Sequence, residues 1–418
     1  MSSLIPQKPN IGLAKILSLY LHIPFCKTRC TYCDFNTYTN LSFLQGRYIN
    51  ALVQETGRTL AAIANDLYHP LEPLPTDIAS FNAGNKAIIH SVFFGGGTPS
   101  LLPPAMIEKV MEAIHTYAFL PAQTEVTLEA NPGTISREKA HALRKVGINR
   151  LSFGVQTFDD KALRLLGRTH DSAEAIEAYK IARQTGFDEL NLDFIYALPD
   201  QTLQDWRENL EKAIALEPEH LSLYALTIEE NTEMGRRHAA NRLNVPDEDA
   251  AADMYLLALE MLDKAGYEQY EISNWAKKPA TKHASQHNLV YWRNQPYIGL
   301  GVGAHSCYAG YRYPVVRQPA EYIEKIKRGE SVIARDEVEE VTPELRLADT
   351  VILALRLNEG LPLARIEQEF GKSLNELFPD VVPHLIANGL LEEKDACLRL
   401  TVKGRLLSNS VFIKFLPA

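Results

Sequence analysis

Six apolar, strand-like runs recur along the first 230 residues, and helical stretches separate them. They are LSLYLHI (17–23), AIIHSVFF (87–94), TEVTLEA (124–130), RLSFGVQ (150–156), ELNLDFIY (189–196) and HLSLYALT (220–227). Strands alternating with helices imply right-handed βαβ crossovers and therefore a parallel sheet. Runs this apolar fit strands buried on both faces. The intervening segments carry helix punctuation. A helix is predicted near 42–66, one from Ser136 to Gly147, one over 171–186 with Asp171 as its cap, and one from Thr202 to Pro218. The stretch LEPLPTDIASFNAGNK (71–86) reads as an exposed insertion.

Each run leads into something polar or glycine-rich. The first enters a cysteine loop, the second GGGTP, and the third ends at Glu129 and NPG. Gln156 closes the fourth, Asp193 lies near the end of the fifth, and TIEE follows the sixth. In (β/α) barrels the chemistry sits at the C-terminal ends of the strands. Six such ends, one with three cysteines, point to a cofactor site there.

Composition excludes several classes. A net charge of −9 over 418 residues argues against a nucleic-acid surface. No apolar run reaches the roughly 18 residues of a membrane span. The N-terminal stretch has no signal-peptide cleavage pattern, so a cytoplasmic protein is expected. In a reducing compartment, three cysteines within eight residues suggest metal rather than disulfides.

Those cysteines are Cys26, Cys30 and Cys33, with Cys307 and Cys397 standing apart. Zinc normally takes four ligands, and His22 or Asp34 could complete such a set. Iron–sulfur clusters also take thiolates. Three on one loop can hold three irons of a cube and leave the fourth open to a chelating small molecule. A c-type haem attachment fails because Asp34, not His, follows Cys33.

Cys26-x3-Cys30-x2-Cys33, with Tyr32 before the last cysteine, resembles the radical S-adenosylmethionine motif. The flanking YLHIPFC resembles the oxygen-independent coproporphyrinogen III oxidase family. FFGGGTPS, LEANPG, SFGVQTF, LGRTH and DFIYALP resemble that family's further motifs, in the same order. The resemblance implies an α/β fold, a partial (β/α)6 radical-SAM barrel. It implies a [4Fe-4S] cluster on Cys26, Cys30 and Cys33, with the methionine part of S-adenosylmethionine on the open iron. Tyr20 and Tyr32 would line the first cofactor site. Gly96, Gly97 and Thr98 of GGGTP would bring backbone close to the cofactor, and Glu129 would accept hydrogen bonds from its ribose. Gln156, Arg168, Asp193 and Ala225 fall where a second S-adenosylmethionine is contacted, so one or two are expected. Plain alternatives stand beside these roles: a tight turn at the glycines, a surface carboxylate at Glu129, and an ion pair between Arg168 and Asp193.

Within that family, oxidases carry a further cysteine two residues after the third, where this chain has Phe35. Oxidases also have a longer segment ahead of the motif than the nineteen residues before Tyr20 here. HNLVYW (287–292) resembles the HNxxYW signature of the HemW-type haem chaperones, and LYALTIEENT (223–232) and YIGLGVGAHS (297–306) resemble the same subfamily. The resemblance implies binding of haem and its transfer to an acceptor protein such as a respiratory enzyme. It also implies no coproporphyrinogen oxidase activity, no nucleic-acid partner, and contact at the membrane surface where the acceptor is membrane-bound. A monomer and a dimer fit equally. The alternative is a radical enzyme acting on a porphyrin through cleavage of S-adenosylmethionine. His287 is the first candidate for the haem iron, with Tyr291 and Trp292 to stack on the ring; a buried, hydrogen-bonded histidine is the other reading. His305 and Cys307 come next.

The C-terminal quarter reads separately. A helix with Thr342 as cap, two shorter helices, a hairpin in LLEEKDACLRL and a last helix from Thr401 suggest a small winged-helix-like α+β module without a basic face. The expected organisation is an N-terminal tail (1–16), the barrel (17–235), an extension carrying HNxxYW (236–335) and the C-terminal module (336–418).

Overall fold

The structure, a computed structural model, describes residues 16–72, 74–75 and 85–417. The insertion at 71–86 and the N-terminal tail lie largely outside the described residues. The six runs form β1 (Ile16–Ile23), β2 (Ala87–Gly96), β3 (Glu125–Ala130), β4 (Arg150–Gln156), β5 (Glu189–Tyr196) and β6 (His220–Ala225). Each pairs in parallel with the next, in chain order.

Further strands extend both edges. β7 (Tyr267–Glu271) and β8 (Asn274–Lys277) form a hairpin, and β8 runs antiparallel to β6. On the other edge β9 (Tyr297–Leu300) adds to β1 in parallel. β10 (His305–Tyr308) and β11 (Tyr311–Pro314) continue outward antiparallel.

The connecting helices begin where a side chain can accept from a free N–H. Ser136 accepts from Lys139, Asp171 from Glu174 and Thr202 from Asp205, the last two in reciprocal capping boxes. Each such cap is worth about 1 kcal/mol. The first helix, Gln45–Ala64, carries Glu55 into the interior, where its carboxylate accepts from the Gly301 N–H at 2.8 Å. That bond seats the turn between β9 and β10.

The strands are not apolar on both faces. Leu128, Leu151, Phe153, Val155, Leu190, Leu192 and Leu223 are buried in the main hydrophobic core. The alternate residues Thr127, Ser152, Asn191 and Ser222 line a cavity instead. A closed barrel fills its interior with side chains. This partial barrel holds a cavity inside, so its inner face is polar.

The C-terminal segment has its own hydrophobic cluster, from Val351 to Phe415. Thr342 caps the helix Pro343–Leu355. Strands Leu361–Pro362, Leu391–Lys394 and Cys397–Leu400 form a small antiparallel sheet. The last helix breaks at Leu407, which leaves helical geometry (φ −109°, ψ 25°), into Val402–Leu406 and Ser408–Phe412. The segment meets the barrel where the Arg356 guanidinium lies 4.2 Å over the Trp292 ring and 3.7 Å from the fully buried carboxylate of Glu271.

Candidate functional site

The segment after β1 folds back on itself. The Cys26 N–H donates to the Tyr38 carbonyl at 3.0 Å, and the Tyr38 N–H donates to Pro24 at 2.7 Å. Distant parts of the chain pin this loop. Thr31 donates through its N–H to Leu166 and through its hydroxyl to Leu165, and its carbonyl accepts from the Met234 N–H. The Arg317 carbonyl accepts from Asn36 at 3.1 Å and from the Tyr38 hydroxyl at 2.9 Å. The GGGTP segment lies against the loop's start, with the Gly97 N–H donating to Ile23 and the Thr98 N–H to Phe25. A β-carbon at Gly97 would come within 2.8 Å of the Phe25 carbonyl and 3.0 Å of the Cys26 Sγ. Gly96 has φ +112°, a conformation that glycine alone adopts cheaply.

The strand ends and this loop enclose a cavity of about 810 Å³. Its walls bring together Cys26, Cys30, Cys33, Tyr32, Gly96, Gly97, Thr98, Glu129, Gln156, Arg168, Asp193 and Ala225. Tyr20 lines an adjoining space of about 770 Å³ together with Gly96 and Glu129. Arg29, Asp34, Phe35 and Thr37 of that loop, together with Gly96 and Glu129, face both spaces. Strand alternation places further polar groups on the first cavity's floor: Thr127, Arg150, Ser152, Asn191, His220 and Ser222. Sequence reasoning passed these over, although a polar residue at every second position, as in Asn191-x-Asp193 and His220-x-Ser222, was a readable signal.

The donor set suits a cluster. Among the described residues, no three His, Cys, Asp or Glu side chains converge as a single metal ion would require. The three thiols share one cavity wall instead, as fits a cluster in which each thiolate meets a different iron. His22 is not free for a zinc set. Its Nε2 lies 2.9 Å from the Asn36 carbonyl and its Nδ1 3.2 Å from the Tyr20 hydroxyl. Burial pushes the thiols of Cys26 and Cys33 up, so bound iron would have to displace their protons. Thr98 donates to the Cys26 Sγ at 3.6 Å and Arg168 to the Cys30 Sγ at 3.4 Å. The cavity also keeps polar capacity in reserve. The Thr127 Oγ1 and Arg168 Nε are buried without a hydrogen-bond partner among the described residues.

Glu129 accepts from the Gly96 N–H at 3.0 Å. Its depth in the barrel, and then the Asp193 carboxylate, push its pKa up to about 7. Asp193 accepts from Ser152 at 2.9 Å and from Asn191 at 2.8 Å, and burial raises its pKa too. Arg168 and Asp193 do not pair. The second Arg168 hydrogen bond goes to the Gly154 carbonyl at 2.7 Å.

The HNxxYW signature packs behind the second strand. It forms a short helix, Gln286–Trp292, whose first N–H groups sit on the Glu125 carboxylate at 3.0 and 3.1 Å. His287 is buried. Ser91 spends its proton on Ser18, so its oxygen accepts from the His287 Nδ1 at 2.8 Å. The remaining lone pair, on Nε2, is taken by the Tyr291 hydroxyl at 2.9 Å. Burial lowers the His287 pKa to about 3, so the ring is neutral. Both ring nitrogens of His287 are engaged in this arrangement, so binding iron would require Tyr291 or Ser91 to give up its hydrogen bond. Arg356 covers one face of the Trp292 ring.

Comparison with known proteins places this arrangement in a family. The Radical SAM superfamily matches residues 20–213, and the HemN C-terminal domain matches 341–407. The chain is 36% identical to the heme chaperone HemW of Bacillus subtilis over 96% of its own length and 99% of the relative's. It is 34% identical to the heme chaperone HemW of Escherichia coli over 96% and 98%. Among solved structures it is similar in fold to the coproporphyrinogen III oxidase HemN of Escherichia coli, a radical SAM enzyme. That match has a TM-score of 0.78 and 24% identity, over 96% of this chain and 90% of the other. With near-complete coverage on both sides and the cysteine loop at the mouth of a parallel-strand cavity, the chain belongs to the HemW family of radical SAM proteins.

Proposed function

We propose that this chain binds haem and hands it to an acceptor protein, and that it carries a [4Fe-4S] cluster and S-adenosylmethionine in the first cavity. The observation that supports this reading is the near-full-length likeness to relatives named as heme chaperones. Phe35 agrees with it. The ring stands 68% exposed between the two cavities, where the resemblance would give an oxidase a further cysteine.

Cys26, Cys30 and Cys33 would hold the cluster, and the donors on Thr98 and Arg168 would stabilise their thiolates. When bound, the cluster can pass an electron to S-adenosylmethionine. The backbone of Gly96 and Gly97 lets the cofactor's amino-acid end approach, and Glu129 has a carboxylate oxygen left to accept from ribose hydroxyls. Gln156, Arg168, Asp193 and Ala225 line the same cavity, where a second S-adenosylmethionine would be held. Tyr32 packs beside the thiols, and Tyr20 lines the adjoining space with Gly96 and Glu129.

The five cysteines are free, as fits a reducing cytoplasm, and among the described residues no helix is long and apolar enough to cross a membrane. The test is haem titration into anaerobically reconstituted protein, followed by transfer to apomyoglobin and an assay with coproporphyrinogen III and a reductant. Haem uptake and release without turnover is the expected result. Turnover without haem uptake would return the chain to the porphyrin-oxidising enzymes.

A further inference from the structure

We propose that Thr37 tunes the cluster: its hydroxyl donates to the Cys33 thiolate of the loaded site and raises the cluster's reduction potential, and Arg29 holds the backbone that presents it. This rests on the cluster reading above and goes further by naming what sets the potential.

Cluster potentials follow the net charge at the site and the hydrogen bonds to its sulfurs. Two of the three sulfurs have side-chain donors described above, Thr98 on Cys26 and Arg168 on Cys30. Against the burial that raises its pKa, Cys33 has the Phe35 N–H and the Thr37 hydroxyl to favour its thiolate. Reduction adds an electron to the cluster. A donor to sulfur therefore stabilises the reduced form more than the oxidised one.

Thr37 has the placement for that role. It lines the first cavity and is only 6% exposed. Its Oγ1 is buried without a hydrogen-bond partner among the described residues. A buried hydroxyl left unpaired costs about 1–3 kcal/mol, so its proton goes to the best acceptor at hand. The hydroxyl is near both Cys26 and Cys33, and Cys26 already has Thr98. Ionised sulfur accepts more strongly than a thiol, so the bond forms on loading.

Arg29 fixes the strip of backbone that carries Thr37. Its Nε and Nη2 each donate to the Cys33 carbonyl at 3.3 Å. Nη2 also donates to the Phe35 carbonyl at 3.4 Å, and Nη1 to the Thr37 carbonyl at 3.5 Å. Three carbonyls of one loop thus share a single guanidinium. A lysine would keep the charge and lose the planar fork. Arg29 is a positioning residue that acts through Thr37.

The experiment is an anaerobic redox titration of the reconstituted full-length protein, followed by the cluster absorbance, with iron and sulfide assayed in parallel. Thr37→Val keeps the shape and removes the donor. It should load wild-type iron and favour the reduced form about tenfold less, a fall of about 59 mV for a one-electron couple. Thr37→Ser keeps the hydroxyl and should titrate with the wild type. Arg29→Lys should lower the potential too, and Thr37→Val added to it should bring little further fall. If the valine variant does not load, Thr37→Ala makes the same comparison with a smaller side chain. A loaded Thr37→Val or Thr37→Ala at the wild-type potential would overturn the proposal, and so would a serine variant that falls as far. Wild-type protein that takes up no iron and sulfide would overturn the cluster reading itself.

Discussion

The Glu55 carboxylate accepts a 2.6 Å hydrogen bond from the Tyr322 hydroxyl, across 267 residues of sequence. Complete burial pushes its pKa up to about 7, against roughly 4.3 for an unfolded glutamate. The folded state therefore binds the extra proton between those values. Its stabilising effect is full below the lower value and is lost as pH rises through about 7, on the order of 4 kcal/mol at about 1.4 kcal/mol per pH unit. Glu55→Gln keeps the acceptor oxygen and removes the titration. Urea midpoints of the two proteins should agree near pH 5, and the variant should be the more stable at pH 8. A constant difference across that range would mean that Glu55 does not titrate in the fold.

Cluster loading should depend on three cysteines and no others. Anaerobic reconstitution should give about four irons per chain, the stoichiometry of a cubane cluster. Serine at Cys26, Cys30 or Cys33 should abolish the iron–sulfur absorbance. Serine at Cys307 or Cys397, neither of which lines the first cavity, should leave it intact. Iron and sulfide assays on the five variants decide this.

Gly97→Ala asks whether the loop needs its close approach. The added methyl would meet the Phe25 carbonyl at 2.8 Å and the Cys26 Sγ at 3.0 Å. The Phe25 carbonyl and the Ile23 carbonyl at 2.9 Å belong to the backbone, so neither can swing aside. The variant should fold, with unchanged far-ultraviolet circular dichroism, and retain a small fraction of the wild-type iron. Full loading would show that the loop can yield.

Affinity for S-adenosylmethionine should rise with pH through about 7, because only the ionised Glu129 accepts charge-assisted bonds from ribose hydroxyls. Equilibrium dialysis of Glu129→Gln should show binding about tenfold weaker at pH 8, from the roughly 1.5–3 kcal/mol of a charged hydrogen bond. The variant should also be nearly indifferent to pH. A variant that keeps the wild-type pH profile would assign the titration to another group.

Much of the barrel could be read in advance because its signals are local. Apolar runs delimit the six strands, and Ser136, Asp171 and Thr202 open helices where a cap is needed. The cysteine spacing is local too. What sequence could not show is which direction a side chain faces once strands pair. Tyr20 and Glu129 sit on different strands, and only the fold shows that both reach one space beside Gly96. His287 misleads for a related reason. A histidine beside two aromatics suits haem or a buried hydrogen-bond relay equally, and only the partners Ser91 and Tyr291, one of them 196 residues away, distinguish the two.

The anchors of the cysteine loop also set an order of events during synthesis. Cys33 leaves the ribosome long before Leu165, which receives the Thr31 hydroxyl 134 residues later, and longer still before Arg317, whose carbonyl receives Asn36 across 281 residues. For most of translation the three thiols therefore belong to an untethered nascent segment. A scaffold that delivers iron and sulfide has no finished loop to load until the strands around Tyr297–Pro314 and the carbonyl that follows have emerged. None of these anchors lies beyond Arg317, so loading need not wait for the C-terminal module, and a chain stalled before that module should already accept its cluster.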